Sequence, residues 1–480
     1  MATINGTAFN DRLTDYRYQN DTLTGGGGDD WFLLGGGYDT ITDLGNGNDQ
    51  VYVSYAGHVT ATLVADWNPK DDWTYNLGEA TVKTAGHNID MSGSMTHDDA
   101  FINYHGWNIT NSGSSVGVKM VGTKFSDTLT GGTGDDTLDG GYWGDYRGYV
   151  GNDILTGGAG NDTFIIGSGT DRITDLGNGA DVVVVSNAGT VNATLANNWA
   201  PDSKTANFGA ATVKTAGHNI NLSGSIGSNG WNITNTGSSV GVKMVGTKFN
   251  DTLTGGAGVD NLFGGDGNDI LDGGDGSDVL TGGGGADTFL IVGGTYSIDT
   301  ITDLGNGGDA FRVIGAKVIA TVAADWTADN NTFIGSGGWA RILVSGHNID
   351  MSHADVPGTC QIWNRGNADS VRMVGSNSGM GISAGDHGDT LVGGAGVDGL
   401  IGGAGDDVFV YNNTNWGQDL IIGFVHGHDV LDLRGSGLHF SDLDLRHNDA
   451  DTIVAIHNAP VNTITVNNTV QMYASDFMFA

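Results

Sequence analysis

Short apolar segments bounded by small polar residues recur along this chain of 480 residues. Val51–Ser54 and Val182–Ser186 are two of them, and their length and β-branched residues are typical of β-strands. No segment of ten residues has a convincing helical period of hydrophobic positions. The pattern therefore predicts an all-β protein made of many short strands that are joined by tight turns.

Some of these strands belong to a nine-residue pattern, in which Gly-Gly-x-Gly-x-Asp precedes apolar, strand-forming residues. Four such units follow one another from Gly255 to Leu290. Glycine adopts positive φ without strain, so each loop can turn tightly and bring carbonyl oxygens towards one point. A strand every nine residues gives a coil with two strands. Asp251 is therefore expected to lie over Asp269, one coil away.

The nine-residue spacing of aspartates recurs in four parts of the chain, which we call the four aspartate blocks. Their members are Asp21, Asp30 and Asp39; Asp127, Asp136, Asp153, Asp162 and Asp171; Asp251, Asp260, Asp269, Asp278 and Asp287; and Asp389, Asp398 and Asp407. By the same spacing, Asp260 is expected over Asp278.

One interval in the second block is irregular, because Asp153 follows Asp136 by nine residues plus eight. Removal of Trp143–Val150, a segment of eight residues, restores the period. We therefore predict that this segment is a loop extruded from one coil. Its aromatic residues would suit a contact site, but a tolerated surface insertion is the interpretation that we favour.

The blocks have the chemistry of calcium sites rather than zinc sites. They combine carboxylate and carbonyl oxygens and contain no sulfur or imidazole ligand, and Ca²⁺ prefers six to eight such oxygens. We predict that all the block aspartates bind metal. The repeats resemble those of the RTX family of secreted proteins, whose nonapeptides wind into a calcium-filled parallel β-roll. The resemblance implies several bound Ca²⁺ ions.

The charge of the chain fits that expectation. The formal net charge is −36, and 84 of the residues are glycine. Such an acidic excess argues against binding to nucleic acid or to an anionic membrane surface. Stacked aspartates repel one another without a cation, so we expect the calcium-free chain to be largely unfolded. Cys360 is the single cysteine, so cations rather than disulfides are expected to stabilise the fold.

A longer repeat of about 130 residues contains the blocks. Ile-Thr-Asp-Leu-Gly-Asn-Gly begins at Ile41, Ile173 and Ile301, and the twelve residues 114–125 are identical to 238–249. We predict calcium blocks at 1–50, 127–182, 251–310 and 381–432, spacers at 51–126, 183–250 and 311–380, and a C-terminal cap with a secretion signal at 433–480.

The spacers pass into the blocks without a proline- or serine-rich linker. We therefore predict that they are wider coils of the same solenoid, and a separate β-sandwich in each spacer is the alternative. Each coil buries its apolar face only against its neighbours, so the fold class is an elongated parallel β-solenoid with a β-rich C-terminal cap.

The two ends of the chain suggest a route of export. Residues 1–15 have neither the basic nor the apolar region of a cleavable signal peptide, and no run of eighteen apolar residues indicates a transmembrane helix. The last residues, Ala474–Ala480, resemble the C-terminal signal of type I secretion substrates. The tail can also be interpreted as a cap that protects the last strands from edge pairing. We expect an extracellular or cell-surface protein of a Gram-negative bacterium, exported by the type I secretion machinery.

Candidate catalytic groups are weak. Gly-x-Ser-x-Gly occurs around Ser115 and Ser239, but the motif of a hydrolase needs a strand-to-helix turn, and the third repeat lacks it. No His-Glu-x-x-His of a zinc protease is present. One lysine or arginine per spacer, at Lys83, Lys214 and Arg341, is more typical of a repeated surface than of a lyase cleft.

Repeated histidines and tryptophans have structural interpretations beside functional ones. His87, His218 and His347 occur once in each long repeat, so a turn is favoured over a metal ligand. His426, His428 and Asp429 are near enough in sequence for a metal, in a position where other repeats carry Asn. The recurring tryptophans suit packing between coils better than a sugar-stacking surface.

These observations support two hypotheses. The first is a secreted, calcium-dependent structural protein that associates with itself at the cell surface, as a surface layer, filament or matrix. The second is a secreted carbohydrate-active enzyme of the lyase or epimerase type, or an array of carbohydrate-binding repeats. Near-identical surface in successive repeats favours the first, since it presents one contact several times. Cell-surface polysaccharide is a further candidate partner.

Overall fold

A computed structural model describes residues 2–69, 73–94, 104–141, 150–293, 297–364, 369–448, 450–457, 459–469 and 471–480. Within these ranges the regular structure is β-strand, apart from two 3-10 helices at Phe440–Asp442 and Ala474–Asp476. The predicted all-β class is therefore confirmed. The chain divides into two compact units, Met1–Asn235 and Thr236–Ala480.

The first unit contains twenty of the strands. They are β1 Thr3–Asn5, β2 Arg12–Tyr18, β3 Thr22–Thr24, β4 Trp31–Leu44, β5 Gln50–Leu63, β6 Tyr75–Asn76, β7 Glu79–Lys83, β8 Ile89–Asp90, β9 Asn108–Thr110, β10 Lys119–Val121, β11 Thr128–Thr130, β12 Thr137–Asp139, β13 Ile154–Thr156, β14 Thr163–Leu176, β15 Val182–Leu195, β16 Ala206–Asn207, β17 Ala210–Lys214, β18 Ile220–Asn221, β19 Ile226–Gly227 and β20 Asn232–Thr234.

These strands pair in parallel, coil upon coil. In the first block Thr22 pairs with Thr40, and in the second block Thr128 pairs with Ile154. The 26 residues between that second pair are one coil of eighteen plus the eight residues that interrupt the nonapeptide period. The expected extruded segment, Trp143–Val150, lies outside the described residues except for Val150, which is exposed.

The spacer coils of this unit are wider than the block coils, as predicted. A block coil has two strand positions, whereas the first spacer has a third. There β6 and β7 pair with successive parts of β5, and β8 pairs with β10. In the second spacer β17 pairs with β20 at an offset of twenty residues. The spacers are thus solenoid coils, and the alternative of separate sandwiches is wrong for the described residues.

The second unit contains the other strands. They are β21 Lys243–Val245, β22 Thr252–Gly256, β23 Asn261–Asp266, β24 Ile270–Gly274, β25 Val279–Gly284, β26 Thr288–Val292, β27 Asp299–Leu304, β28 Ala310–Ile314, β29 Lys317–Val322, β30 Trp326–Thr327, β31 Phe333–Ile334, β32 Trp339–Leu343, β33 Ile349–Asp350, β34 Thr359–Trp363, β35 Arg372–Val374, β36 Gly381–Ser383, β37 Thr390–Val392, β38 Gly399–Ile401, β39 Val408–Val410, β40 Gln418–Ile422, β41 Val430–Asp432, β42 Leu443–Asn448, β43 Asp451–Ile456, β44 Ala459–Val466 and β45 Phe477–Met478.

The third block shows the regular coil most clearly. Thr252 pairs with Ile270 on one side of the coil, and Asn261 pairs with Val279 on the other, each eighteen residues apart. One inward residue of each strand fills the core, and Leu253, Leu262 and Leu271 have no exposed surface. Because a coil this narrow holds a single layer of apolar side chains, its stability depends on the coils above and below.

The tail covers the end of the second unit. Strands β42, β43 and β44 pair antiparallel, and β44 then lies parallel to β40. The last strand, β45, pairs with β41 through Leu431 and Phe477. Both faces of the solenoid thus end on a strand from the tail, which confirms the predicted β-rich cap and leaves β40 and β41 paired on both sides.

Candidate calcium sites

The sixteen predicted aspartates are all buried, and none exposes more than 5% of its surface. Most of them follow a glycine-containing loop and precede a strand, whereas Asp39 and Asp171 lie within β4 and β14. Carboxylates are rarely buried without a charged or hydrogen-bonding partner. The arrangement therefore requires an explanation at every one of these positions.

One oxygen of each ladder carboxylate is used by the main chain. The amide of Asp251 donates to Oδ1 of Asp269 at 2.7 Å, and the amide of Asp269 donates to Oδ1 of Asp287 at 2.8 Å. On the other side of the coil, the amide of Asp260 donates to Oδ1 of Asp278 at 2.8 Å. The predicted stacking of aspartates one coil apart is confirmed, and these bonds form an aspartate ladder on each side.

In part of the ladder the second oxygen, Oδ2, is left for another partner. In six buried aspartates Oδ2 has no hydrogen-bond partner among the described residues: Asp39, Asp269, Asp278, Asp287, Asp398 and Asp407. No described lysine or arginine forms an ion pair with any of them. A buried anionic oxygen without a partner is costly, and a bound cation would remove that cost.

Glycine keeps the space around Oδ2 open. A Cβ at Gly264 would overlap Oδ2 of Asp269, so any other residue would occupy the place beside that oxygen. The next residue, Gly265, has φ of 125°, a conformation that other residues rarely adopt. These loops therefore leave oxygen-lined room beside each carboxylate, which fits a Ca²⁺ ion held by carboxylate and carbonyl oxygens.

Burial and mutual repulsion raise the pKa values of several ladder aspartates. Desolvation is the largest cause, and it raises the pKa of Asp269 and Asp278 to about 7, with their ladder neighbours adding repulsion. Burial and the charge of Asp127 raise the pKa of Asp153 to about 9. The calcium-free fold thus disfavours ionised ladder carboxylates near neutral pH, and a divalent cation reverses that preference.

A third carboxylate stands beside one ladder in the first block. Asp15, Asp21 and Asp39 are buried, and an oxygen from each lies within 4.8 Å of the others. Burial is the main cause that raises the pKa of Asp171 in the second block and of Asp299 in the third, and the charges of Asp139 and Asp272, respectively, raise these values further. The nonapeptide spacing did not predict Asp15, Asp139 or Asp272, which lie on strands or at a strand end rather than in the loops.

Sequence reasoning also missed the last aspartate of six ladders. The amides of Asp30, Asp162, Asp287 and Asp407 donate to Oδ1 of Asp49, Asp181, Asp309 and Asp429, which stand nineteen to twenty-two residues further along. Asp299 and Asp419 end the ladders on the opposite side. The nine-residue period fails here because the loops are longer, but Gly-x-Gly-x-Asp, as at Asp49 and Asp181, was a usable signal.

The aspartate of the repeated Ile-Thr-Asp-Leu segment has a second structural role, in which its carboxylate accepts main-chain amide hydrogens. Both oxygens of Asp303 accept amide hydrogens, from Gly282 at 3.0 Å and Gly283 at 2.8 Å. Asp175 does the same for Gly157 and Gly158, and Asp43 for the equivalent glycine pair of the first block. These three aspartates fix the start of the preceding coil's loop. Their identical position in the repeat was visible in the sequence, but their role was not.

The recurring tryptophans are packing residues, as favoured from the sequence. Trp67, Trp199 and Trp326 expose 3% or less of their surface. Each indole Nε1 donates to the carbonyl oxygen of a ladder-end aspartate, Asp49, Asp181 or Asp309, at 2.9–3.0 Å. They connect each block to the spacer that follows it and offer no exposed ring face to a sugar.

The histidines are not brought together. His87 and His347 follow tight turns, where Ala85 and Ser345 have positive φ, and each lies 3.8 Å from an exposed aspartate. His218 follows the equivalent turn at Ala216. In the tail, His426 contacts Asp476 whereas His428 contacts Asp406, so these two rings point to different carboxylates. The favoured interpretation of the repeated histidines as turn residues fits these positions.

The serines of the Gly-x-Ser-x-Gly segments lie on exposed turns between strands. Gly113 and Gly237 have positive φ, and the neighbouring serines Ser114 and Ser238 accept the amide hydrogens of Val116 and Val240. No helix follows either turn in the described part of the chain. The geometry is therefore a Ser-containing turn rather than the strand-to-helix elbow of a hydrolase.

Comparison with known proteins identifies the repeats. The model of the RTX calcium-binding nonapeptide repeat matches residues 18–41, 120–142, 146–173, 243–271, 254–289 and 383–415. No curated protein matches the chain significantly. Among solved structures, an extracellular lipase, LipA from Serratia marcescens, matches with 18% identity and a TM-score of 0.19. That match covers 52% of this chain and 42% of the lipase.

The chain therefore carries RTX calcium-binding nonapeptide repeats in several parts of its length. Repeats of this kind bind Ca²⁺ at multiple sites. They indicate a secreted, extracellular protein of a Gram-negative bacterium and a substrate of type I secretion. The described residues contain no helix with the length and apolar character needed to span a bilayer.

Proposed function

We propose that this chain of RTX repeats is a secreted structural protein, which folds on calcium outside the cell and then associates with itself at the cell surface. The observation that carries the proposal is the set of buried ladder carboxylates whose Oδ2 atoms have no partner. Such a fold is unstable at neutral pH until cations enter it. Repulsion between its carboxylates thus keeps the strongly acidic chain extended during export, and calcium allows it to fold afterwards.

The cations are assigned to the loops of the four blocks. We assign Asp21, Asp30, Asp39, Asp127, Asp136, Asp153, Asp162, Asp171, Asp251, Asp260, Asp269, Asp278, Asp287, Asp389, Asp398 and Asp407 as ligands. Their carboxylate oxygens, with loop carbonyl oxygens, supply the hard oxygen set that Ca²⁺ prefers, and in Asp251, Asp260 and Asp389 Oδ2 also accepts a main-chain amide. The ladder-end aspartates Asp49, Asp181, Asp309 and Asp429 complete these rows.

Self-association is supported by a surface that the chain presents twice. The identical segments 114–125 and 238–249 form the same turn, in which Val116 is 54% exposed and Val240 is 55% exposed. Lys119 and Lys243 are exposed beside them. Two copies of one apolar and basic surface on an otherwise acidic molecule allow a weak contact to act twice, so that binding energies add through avidity.

The test is light scattering and electron microscopy of the full chain at micromolar protein, with millimolar Ca²⁺ or with chelator. Ordered sheets or filaments are expected with Ca²⁺ only. The double variant Val116→Asn with Val240→Asn should weaken assembly. A matched control replaces Val259 and Val397, which are 67% and 66% exposed, by Asn and should assemble normally. A calcium-loaded chain that stays monomeric throughout this range would refute the proposal.

A further inference from the structure

An aromatic pocket lies on the outer face of the solenoid, where the first block meets the first spacer. Arg12, Trp31, Tyr52, Trp73 and Tyr75 line a pocket of about 200 Å³, with Phe32 and Leu33 behind them. The rings meet edge to face, with centroids 5.4 Å apart for Trp31 and Trp73 and 4.5 Å apart for Tyr52 and Tyr75. Trp73 is 55% exposed, so the pocket opens to solvent.

The pocket is a departure from a repeat that is otherwise closely copied. The second copy pairs Thr163 with Val182 and Val184 with Ala206 in the same register in which the first pairs Trp31 with Gln50 and Tyr52 with Tyr75. Thr163, Val184 and Ala206 therefore occupy the positions of Trp31, Tyr52 and Tyr75. The fold does not need aromatic rings at these positions, because the second copy forms the same coils without them.

Two other positions change in the same way. Thr137 pairs with Thr163 where Arg12 pairs with Trp31, so Thr137 is the counterpart of Arg12. Thr74 and Thr205 accept equivalent hydrogen bonds, and the residue before each is Trp73 in the first copy and Lys204 in the second. All five lining positions thus differ between the first and second copies, so the repeated fold does not require this pocket, and a ligand would account for it.

The chemistry of the pocket selects the class of ligand. Exposed and half-buried indole and phenol rings around a shallow pocket offer flat apolar faces and polar edges, which suit the C–H faces and hydroxyl groups of a pyranose ring. The Arg12 guanidinium lies 5.6 Å from the Trp31 ring centroid, and none of the described carboxylates forms an ion pair with it. An exposed guanidinium fixed beside the pocket is complementary to a carboxylate.

We propose that this pocket binds a uronate-bearing polysaccharide, with a sugar ring against Trp31 and Trp73 and a sugar carboxylate on Arg12. The tyrosines Tyr52 and Tyr75 form the adjacent wall and contact the next ring. The site adjoins the first ladder, since Trp31 follows Asp30, but it uses no ladder carboxylate and does not depend on self-association. It gives the secreted chain a means of attachment to an acidic extracellular glycan.

The experiment titrates the full calcium-loaded chain with oligomers of a polyuronate and, separately, with neutral cello-oligosaccharides, by calorimetry and by tryptophan fluorescence. The test variant takes the second copy's residues: Trp31→Thr, Tyr52→Val and Tyr75→Ala together. It is expected to fold normally and to lose at least tenfold in polyuronate affinity. Arg12→Gln should lose affinity for polyuronate and leave any neutral binding unchanged.

A matched control makes the same kind of exchange outside the pocket. Tyr38 and Tyr55 are 67% and 65% exposed, and their counterparts in the second copy are Thr170 and Asn187. Tyr38→Thr with Tyr55→Asn should bind polyuronate within about twofold of the unchanged chain. The proposal is overturned if polyuronate does not bind, if both triple and control variants bind equally, or if the triple variant instead loses calcium-dependent assembly without any saccharide binding.

Discussion

The amide of Asp251 donates a 2.7 Å hydrogen bond to Oδ1 of Asp269, one coil further along the chain. The same bond recurs from Asp269 to Asp287 and continues to Asp309. Each aspartate thus uses one oxygen to hold the coil before it and keeps the other towards the loop. The two oxygens of one side chain therefore couple the stacking of coils to the binding of a cation.

Calcium is expected to fold the whole chain. Without it, the ladders place ionised carboxylates in a buried row, and their repulsion adds to the cost of desolvation. Circular dichroism of the protein in EDTA at pH 7.5 should show mostly disorder, and millimolar Ca²⁺ should restore the β signal. Mg²⁺ at the same concentration should restore much less, since it prefers a smaller octahedral site and keeps its water. An equally folded chain in excess chelator would contradict the prediction.

Asp269 offers a test of the two roles of one carboxylate. Asp269→Asn keeps an Oδ1 that can accept the Asp251 amide but removes the charge, so it should raise the calcium midpoint of folding about tenfold, equivalent to about 1.4 kcal/mol. Asp269→Ala removes both functions and should raise the midpoint further. The measurement is a calcium titration followed by circular dichroism.

The matched control for Asp269 is Asp202→Ala. Asp202 is an exposed spacer residue whose carboxylate accepts only the amide of Lys204 among the described hydrogen bonds. Its replacement should leave the calcium midpoint within experimental scatter. If Asp269 and Asp202 variants shared one midpoint, Asp269 would not be a ligand.

Much of this fold follows from the sequence because its signals are local. The period of nine fixes the distance between strands, and Leu253, Leu262 and Leu271 show which residue of each unit points inward. The same period places Asp251 over Asp269. Where the chain repeats the nine-residue unit, the position of each strand and each ladder aspartate follows from that unit.

Other features depend on contacts between coils, which no single segment encodes. Asp303 binds glycines of the preceding coil, twenty or more residues earlier, and Asp15 joins Asp21 and Asp39 only because the first coils stack. The pocket around Trp31 likewise gathers residues from four coils. In the sequence this pocket is visible only as a difference between repeats. No motif marks it, because its residues are far apart along the chain.

Asp303 provides a prediction about the glycine loops. Asp303→Asn can accept only one of the two amide hydrogens from Gly282 and Gly283, and the lost hydrogen bond should cost about 1 kcal/mol. We expect a lower thermal midpoint and a modestly higher calcium midpoint, because the loop is held less firmly before the ion binds. Asp329→Asn, at an exposed turn of the following spacer, is the control. Equal effects from both variants would show that Asp303 acts only through its charge.

The pH dependence of the calcium-free protein should be the reverse of ordinary acid denaturation. In the folded state burial raises the pKa of Asp269, Asp278 and Asp407 to about 7, whereas an unfolded aspartate titrates near 3.8. The folded chain therefore binds more protons than the unfolded chain between these values, and its stability falls as pH rises from about 4 to about 7. Above pH 7 this loss is complete.

Dialysed, calcium-free protein should accordingly gain β structure when the pH is lowered from 8 to 5, and it should lose that structure again on return. With calcium present the direction is opposite, because protons compete with the ion and the calcium midpoint rises below pH 7.

General loss of negative charge also favours compaction on acidification. The triple variant Asp269→Asn, Asp278→Asn and Asp287→Asn separates the two causes, since it keeps most of the net charge. If the ladder aspartates are responsible, this variant is more folded without calcium at pH 7.5 and responds less to acid. An unchanged pH response would assign the effect to net charge instead.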